Sequence, residues 1–143
     1  MKKILIAGVI LGFSTASWAV PNIWSSSFAQ GYFEYSITNE SNDSVIIACN
    51  VGAGEGFDNG VSVYHDGQQL TGDISFLIDD EAYYIPENTT TRNGANAWVS
   101  FTDAIKKTST FEVYVNNKPA GKFTSSPKNH KKTFSDFECD PMW

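Results

Sequence analysis

Apolar residues recur at every second position along most of this chain, and this alternation constrains the fold more than any other feature. Successive side chains of a β-strand point to opposite faces, so a period of two indicates strands with one buried face. Polar pairs such as Asp66-Gly67 and Asn116-Asn117 separate the alternating segments and predict turns. The segments with this pattern cover residues 33–37, 45–49, 61–63, 74–78, 83–85, 111–115 and 123, and a final stretch at 134–139.

One segment departs from the period of two and predicts a helix. Within residues 97–107, Trp98, Phe101 and Ile105 recur at spacings of three and four, which places them on one helix face. The polar residues 88–96 before it are predicted to form a loop. We therefore predict a mainly β protein: a single-domain β-sandwich or small barrel of seven to eight short antiparallel strands, with one short helix near residues 97–107.

The first 19 residues have the pattern of an export signal. Lys2 and Lys3 precede an apolar stretch, and Ser17-Trp18-Ala19 supplies a cleavage site with small residues at its first and third positions. Removing 19 of the 143 residues leaves 124, a length that suits one domain over residues 20–143. No cysteine stands at the cleavage site, so we expect a bacterial periplasmic or secreted protein without a lipid anchor and without membrane insertion.

Cys49 and Cys139 are the two cysteines of the chain. Two cysteines in an oxidising compartment most simply pair, and we predict a disulfide that closes a loop of about 90 residues. A catalytic thiol or a metal-binding pair is the alternative, but no C-x-x-C motif is present and both histidines stand elsewhere in the chain. We predict neither a metal site nor a cofactor.

Acidic residues are concentrated in the first two thirds of the mature chain. Residues 20–105 contain twelve acidic residues and one basic residue, whereas residues 106–143 contain four acidic and seven basic residues. The resulting net charge of -8 keeps an exported protein dispersed, and an acidic surface can also steer a basic protein partner. So acidic a chain is not expected to bind nucleic acid. The sequence leaves the oligomeric state open.

We predict that partner binding uses exposed turn, loop and outward-facing residues. Three consecutive acidic residues suit a solvated hairpin turn better than a calcium site or a catalytic carboxylate pair, because their side chains point in different directions. The glycine-rich loop 52–60 leads into a strand and has no lysine nearby, so we interpret it as a flexible contact loop and not as a phosphate site. The candidate residues are Asp79, Asp80 and Glu81 of the turn, Glu55 and Asp58 of the loop, and Tyr64 and Tyr114 on the polar register of their strands.

Histidine-based catalysis has no local motif in this sequence. His65 precedes a turn and His130 lies in a lysine-rich segment that we interpret as a loop. Our leading interpretation is a small exported periplasmic binding protein without catalytic activity, such as an inhibitor or immunity protein acting on a basic protein, for example a cell-wall hydrolase. One alternative is a glycan- or peptidoglycan-associated protein that uses outward aromatics, with Trp24 and Trp143 near the termini as further candidates. The other is a hydrolase whose histidine meets Ser or Asp only in the fold.

Overall fold

A computed structural model describes residues 20–143, which form two antiparallel sheets and two helices. The predicted export signal at 1–19 lies outside the described residues. Two separate sheets with antiparallel pairing throughout confirm the mainly β prediction in its sandwich form, and the structure has nine strands and two helices where seven to eight strands and one helix were predicted. Within residues 20–143, no helix is long and apolar enough to cross a membrane. The elements are β1 (Ser25–Ala29), β2 (Tyr32–Thr38), β3 (Asp43–Asn50), β4 (Gly60–His65), β5 (Gln68–Leu70), β6 (Ile74–Ile78), β7 (Glu81–Tyr84), α1 (Arg92–Ile105), β8 (Thr110–Val115), β9 (Lys118–Thr124) and α2 (Pro127–Phe134).

Tight turns set the register of both sheets. The five-stranded sheet has the order β1-β2-β3-β4-β5, and the four-stranded sheet has the order β7-β6-β8-β9. Four hairpins close through two residues that both have positive φ, as in the type I′ turns whose twist matches that of the strands. The predicted turns at 66–67 and 116–117 are confirmed, and the acidic turn comprises residues 79–80, with Glu81 opening β7. The four turns are Gln30-Gly31, Asp66-Gly67, Asp79-Asp80 and Asn116-Asn117.

Helix α1 begins at Arg92, five residues before its predicted start, so residues 92–96 do not form the predicted loop. The Thr91 side chain caps the helix by accepting a hydrogen bond from the backbone N–H of Gly94, at 3.1 Å. Trp98, Phe101 and Ile105 are fully buried, which confirms the predicted apolar face.

The predicted strand at residues 134–139 is wrong. Phe134 is the last residue of helix α2, which spans Pro127–Phe134, and residues 135–139 form no strand. The helix follows the N-cap Ser126, and Pro127 stands in its first turn, where a backbone N–H would have no helical acceptor. His130 and Phe134, four residues apart, share the buried face of this helix. His130 therefore lies on a helix facing the core and not in an exposed loop.

The apolar faces of both sheets and both helices meet in one core. Phe76 of the four-stranded sheet packs on Phe101 of α1, with 4.7 Å between ring centroids. Tyr35 of the five-stranded sheet stacks on Phe134 of α2, with centroids 6.0 Å apart. Trp24 is 3% exposed, so the prediction of an outward aromatic fails for this residue, which packs under α2.

The predicted disulfide is confirmed. Cys49 on β3 and Cys139 in the C-terminal segment are bonded, with their Cα atoms 5.1 Å apart and a sequence separation of 90. The indole N–H of Trp98 donates to the carbonyl oxygen of Cys139 at 2.7 Å. Together these bonds hold the C-terminal segment against α1 and the five-stranded sheet.

Candidate functional site

The exposed side of α1 lies between two acidic segments that are distant in sequence. A surface cavity of about 370 Å³ is lined by Asp79 and Glu81 of the β6–β7 hairpin and by Asp103 of α1. Asp103 also lines a second cavity, together with Glu138 and Asp140 of the C-terminal segment. We use the name acidic surface for Asp79, Asp80, Glu81, Asp103, Glu138 and Asp140, all of which are exposed.

Two lysines lie beside these six carboxylates. The Lys106 ammonium is 3.4 Å from the Asp103 carboxylate, and Lys107 lines the first cavity. The Lys106–Asp103 pair is open to solvent on both sides, so water and salt screen it and leave Asp103 accessible. The acidic surface therefore keeps a clear excess of negative charge.

Tyr83 orients one of the predicted carboxylates. Its hydroxyl donates to Glu81 at 3.1 Å. Partial burial and this hydrogen bond raise the pKa of Tyr83, so the hydroxyl keeps its proton and remains a donor at neutral pH.

Tyr114 lies on the outer face of the four-stranded sheet. Its hydroxyl donates to Glu112 at 3.1 Å, and the Lys122 ammonium is 3.1 Å from the same carboxylate. The hydrogen bond from Lys122, reinforced by that from Tyr114, lowers the pKa of Glu112. Ser75 on β6 pairs with Tyr114 on one side and with Tyr84, which is 66% exposed, on the other.

The loop that contains Glu55 and Asp58 is held by hydrogen bonds that sequence reasoning missed. The Asn50 side chain accepts from two backbone N–H groups of the loop and donates to two of its carbonyls. The Asp58 carboxylate accepts from the backbone N–H of buried Thr89 at 2.8 Å and from its hydroxyl, so Asp58 has an internal structural role. Glu55 is exposed in the same loop. An Asn two residues before a glycine-rich run is the signal that could have indicated this ordered turn.

The loop adjoins the acidic surface, whereas Tyr64 does not join it. Asn59 donates to the carbonyl oxygen of Asp140 at 2.7 Å, which ties the loop to the C-terminal segment. Tyr64 lies on β4 of the other sheet, paired with Ser44 and Gln69. The structure thus brings together the acidic turn and residues outside the predicted set, namely Asp103, Glu138 and Asp140.

Both histidines are engaged by groups other than hydroxyls. His65 Nδ1 lies 2.6 Å from the Asp43 carboxylate, and its Nε2 lies 3.2 Å from Asp66. The hydrogen bond to Asp43, followed by the charge of Asp66, raises the pKa of His65. His130 Nε2 donates to the carbonyl oxygen of Ile105 at 2.9 Å and joins α2 to α1. Among residues 20–143, no group of three or more His, Cys, Asp or Glu side chains is placed to hold a metal ion.

The sequence matches the model of the YfjT family over residues 22–134, a span that contains all nine strands and both helices. The chain belongs to the YfjT family. Two curated relatives from Escherichia coli (strain K12) align over nearly their whole length. The uncharacterized protein YkfB is 34% identical over 147 residues, covering 94% of this chain and 92% of its own. The uncharacterized protein YfjT is 33% identical over 143 residues, covering 92% of this chain and 90% of its own. No solved structure matches this YfjT-family chain.

Proposed function

We propose that this YfjT-family protein is an exported, non-catalytic binding protein that engages a basic partner protein through the acidic surface. The observation that supports this proposal is the placement of carboxylates from the β6–β7 turn, α1 and the C-terminal segment around one exposed helix side. Like charges on one face repel each other, and a basic partner removes that repulsion on binding. Surfaces of one sign also accelerate the association of oppositely charged proteins.

Two features of the chain support export. The pattern of residues 1–19 is that of a secretory signal, and a disulfide persists in the oxidising compartments outside the cytoplasm. In that setting, a basic cell-wall hydrolase is a suitable partner, and an inhibitor or immunity role follows from blocking it. Mass spectrometry of the protein from a periplasmic fraction is expected to find a chain that begins at Val20.

The acidic surface is tested by neutralising three of its carboxylates. The variant Asp79→Asn/Asp80→Asn/Glu81→Gln is compared with Glu34→Gln/Glu40→Gln/Asp73→Asn, which removes the same charge from exposed acidic residues outside the acidic surface. Each protein is immobilised and exposed to periplasmic extract, and a captured basic protein is then purified for surface plasmon resonance. We expect the first variant to slow association by about tenfold, because electrostatic steering acts mainly on the association rate.

Salt supplies the second measurement. The screening length falls from about 10 Å at 0.1 M salt to about 3 Å at 1 M, so association of the wild type should slow steeply over this range. The matched control variant should retain most of the wild-type rate at each salt concentration. Association that does not respond to salt, or a turn variant that binds like the wild type, would contradict the proposal.

The glycan-binding alternative rests on a separate observation. Tyr84 and Tyr114 flank Ser75 on the outer face of the four-stranded sheet, an arrangement that suits stacking against sugar rings. Its test is co-sedimentation with isolated peptidoglycan. Tyr84→Ala should lower the fraction of protein that sediments with the peptidoglycan, and Tyr64→Ala, on the other sheet, should not. The hydrolase alternative has less support, because both ring nitrogens of His65 contact carboxylates and His130 is buried.

A further inference from the structure

We propose that two copies of this protein pair through their β1 strands and form one continuous ten-stranded sheet. Strand β1 is an outer strand of the five-stranded sheet and pairs with β2 alone among the strands of residues 20–143. All five of its residues are exposed, and its sequence Ser-Ser-Ser-Phe-Ala contains neither a charge nor a proline. An outer strand of this kind offers a row of backbone groups to another strand.

The other three outer strands carry features that prevent such pairing. Strand β5 has only three residues. Strand β7 begins with Glu81 and is followed at once by Ile85 and Pro86. Strand β9 contains Lys118, Pro119 and Lys122, and its pairing with β8 is irregular. Lysine, proline, short length and bulges are the devices that protect sheet edges in natural proteins, and β1 has none of them.

Backbone geometry identifies the groups that β1 presents outward. The two-residue turn after Ala29 makes Ala29 and Tyr32 a hydrogen-bonded pair, so the outward N–H and C=O groups belong to Ser26 and Phe28. The same alternation places the N–H and C=O of Trp24 outward, and there the Asn129 side chain binds both of them, at 2.8 and 3.1 Å. The protein therefore closes this edge with α2 at Trp24 and leaves the five residues of β1 open.

The open strand is complementary to a second copy of itself. A two-fold axis at Ser27 pairs Ser26 of each copy with Phe28 of the other and forms four hydrogen bonds between the copies. Phe28 is 60% exposed and already packs on Phe33, with ring centroids 5.1 Å apart. Across the axis, the two Phe28 side chains are diagonal neighbours about 7–8 Å apart, within reach of aromatic contact.

Charge does not oppose this pairing. Among the β2 residues paired with β1, Glu34 opposite Ser27 is the one that carries a charge at neutral pH. In the paired sheet, three strand spacings of about 4.8 Å separate the two copies of Glu34, a distance beyond the screening length of about 10 Å at 0.1 M salt. An uncharged strand offers no electrostatic attraction to a basic partner. A second copy therefore suits this edge better than the basic partner proposed for the acidic surface. The contact is small, and small interfaces give weak dimers.

A disulfide trap tests the register of the proposed dimer. In the proposed pairing, Ser27 faces its own copy in a non-hydrogen-bonded pair with about 4.5 Å between Cα atoms, which a disulfide can bridge. Ser25→Cys is the matched control on the same strand and the same face, and its two copies lie four residues out of register. We expect the mature Ser27→Cys protein to form a disulfide-linked dimer at least about tenfold faster than Ser25→Cys under mild oxidation.

Sedimentation velocity tests the dimer without a cross-link. The mature wild-type chain should show monomer and dimer in a concentration series from about 10 µM to 1 mM, the range expected for a small interface. Ser26→Pro removes one outward N–H from each copy and should weaken dimerisation at least about tenfold, as should Phe28→Lys. Gln69→Lys, on the opposite edge of the same sheet, should dimerise like the wild type. Near-ultraviolet circular dichroism confirms that each variant is folded.

Two outcomes would overturn the proposal. One is a wild-type chain that stays monomeric throughout the series, including the case in which β1 is covered only when a different protein is added. The other is equal cross-linking of Ser27→Cys and Ser25→Cys, which would indicate random collision.

Discussion

At the scale of single residues, His65 links charge to the contact between the two sheets. The Asp43 carboxylate that binds His65 also accepts from the Asn39 side-chain amide at 2.9 Å. That amide in turn donates to the carbonyl oxygen of Lys122 on the four-stranded sheet at 3.0 Å. The charge of the half-exposed His65 ring therefore acts on a series of buried hydrogen bonds that connects the two sheets.

This arrangement predicts a pH-dependent contribution of His65 to stability. The carboxylates of Asp43 and Asp66 raise the pKa of His65 in the folded protein, so folding favours the protonated ring. The stabilisation is complete below the unfolded pKa of about 6.5 and is lost as the pH rises through the raised folded pKa. In urea unfolding, His65→Gln should destabilise the protein most below about pH 6.5, the unfolded pKa. The destabilisation should decrease as the pH rises through the folded pKa of His65. Tyr64→Phe is the control, and a His65→Gln effect that does not change with pH would contradict the prediction.

Trp98 makes the second prediction at this scale. Its ring is fully buried and its indole N–H donates to Cys139. Trp98→Ala should lower the free energy of unfolding by about 3–5 kcal/mol through the cavity it leaves. Trp98→Phe keeps most of the volume and should cost about 1–3 kcal/mol, because a buried carbonyl loses its donor. The neighbouring exposed residue supplies the control, Val99→Ala, and a Trp98→Ala protein that unfolds like this control would disprove the assigned packing.

At the scale of elements, the start of α1 depends on a close approach that only glycine allows. The backbone at Gly94 packs against the carbonyl oxygen of Asn88, and a Cβ atom there would overlap that oxygen. Thr91 caps the same turn. The polar run before the helix therefore folds back against the first helical turn, which explains why the helix starts earlier than its apolar residues suggest.

This packing predicts the opposite of helix propensity for Gly94→Ala. Propensity alone would stabilise a helix by about 1 kcal/mol on replacing glycine with alanine. Since the obstructing atom belongs to the backbone, we expect a net loss of about 1–3 kcal/mol in the free energy of unfolding. Asn96→Ala, exposed on the same helix, is the control and should be neutral or slightly stabilising. A stabilised Gly94→Ala protein would show that the turn yields without strain.

At the scale of the whole molecule, the disulfide joins β3 to the segment that carries Glu138 and Asp140. Closing a loop between cysteines separated by 90 positions restricts the unfolded chain and contributes about 4–5 kcal/mol in the chain-entropy model. We expect Cys49→Ala/Cys139→Ala to lose stability of this order in urea unfolding. The wild type after chemical reduction is the matched comparison. Reduced and oxidised proteins of equal stability would contradict the prediction.

Local pattern was sufficient where a residue's role depends on its immediate neighbours in sequence. The period of two identified the core strands because alternation reports which strand face is apolar. The spacing of Trp98, Phe101 and Ile105 identified the buried face of α1 because residues three and four apart lie on the same side of a helix. Strands β1 and β5 have no such alternation and pair only because a tight turn places them beside a regular strand.

What the sequence by itself determined is therefore the mainly β class, the disulfide pair, the hairpin turns at 66–67, 79–80 and 116–117, and the inward face of α1. Tertiary structure alone decided the grouping of strands into two sheets, the burial of Trp24 and His130, and the hydrogen bonds of Asp58. It also decided that the acidic turn lies beside Asp103 and near Glu138. The physical reason is that periodicity describes one element at a time, whereas a surface is assembled by the packing of elements that are far apart along the chain.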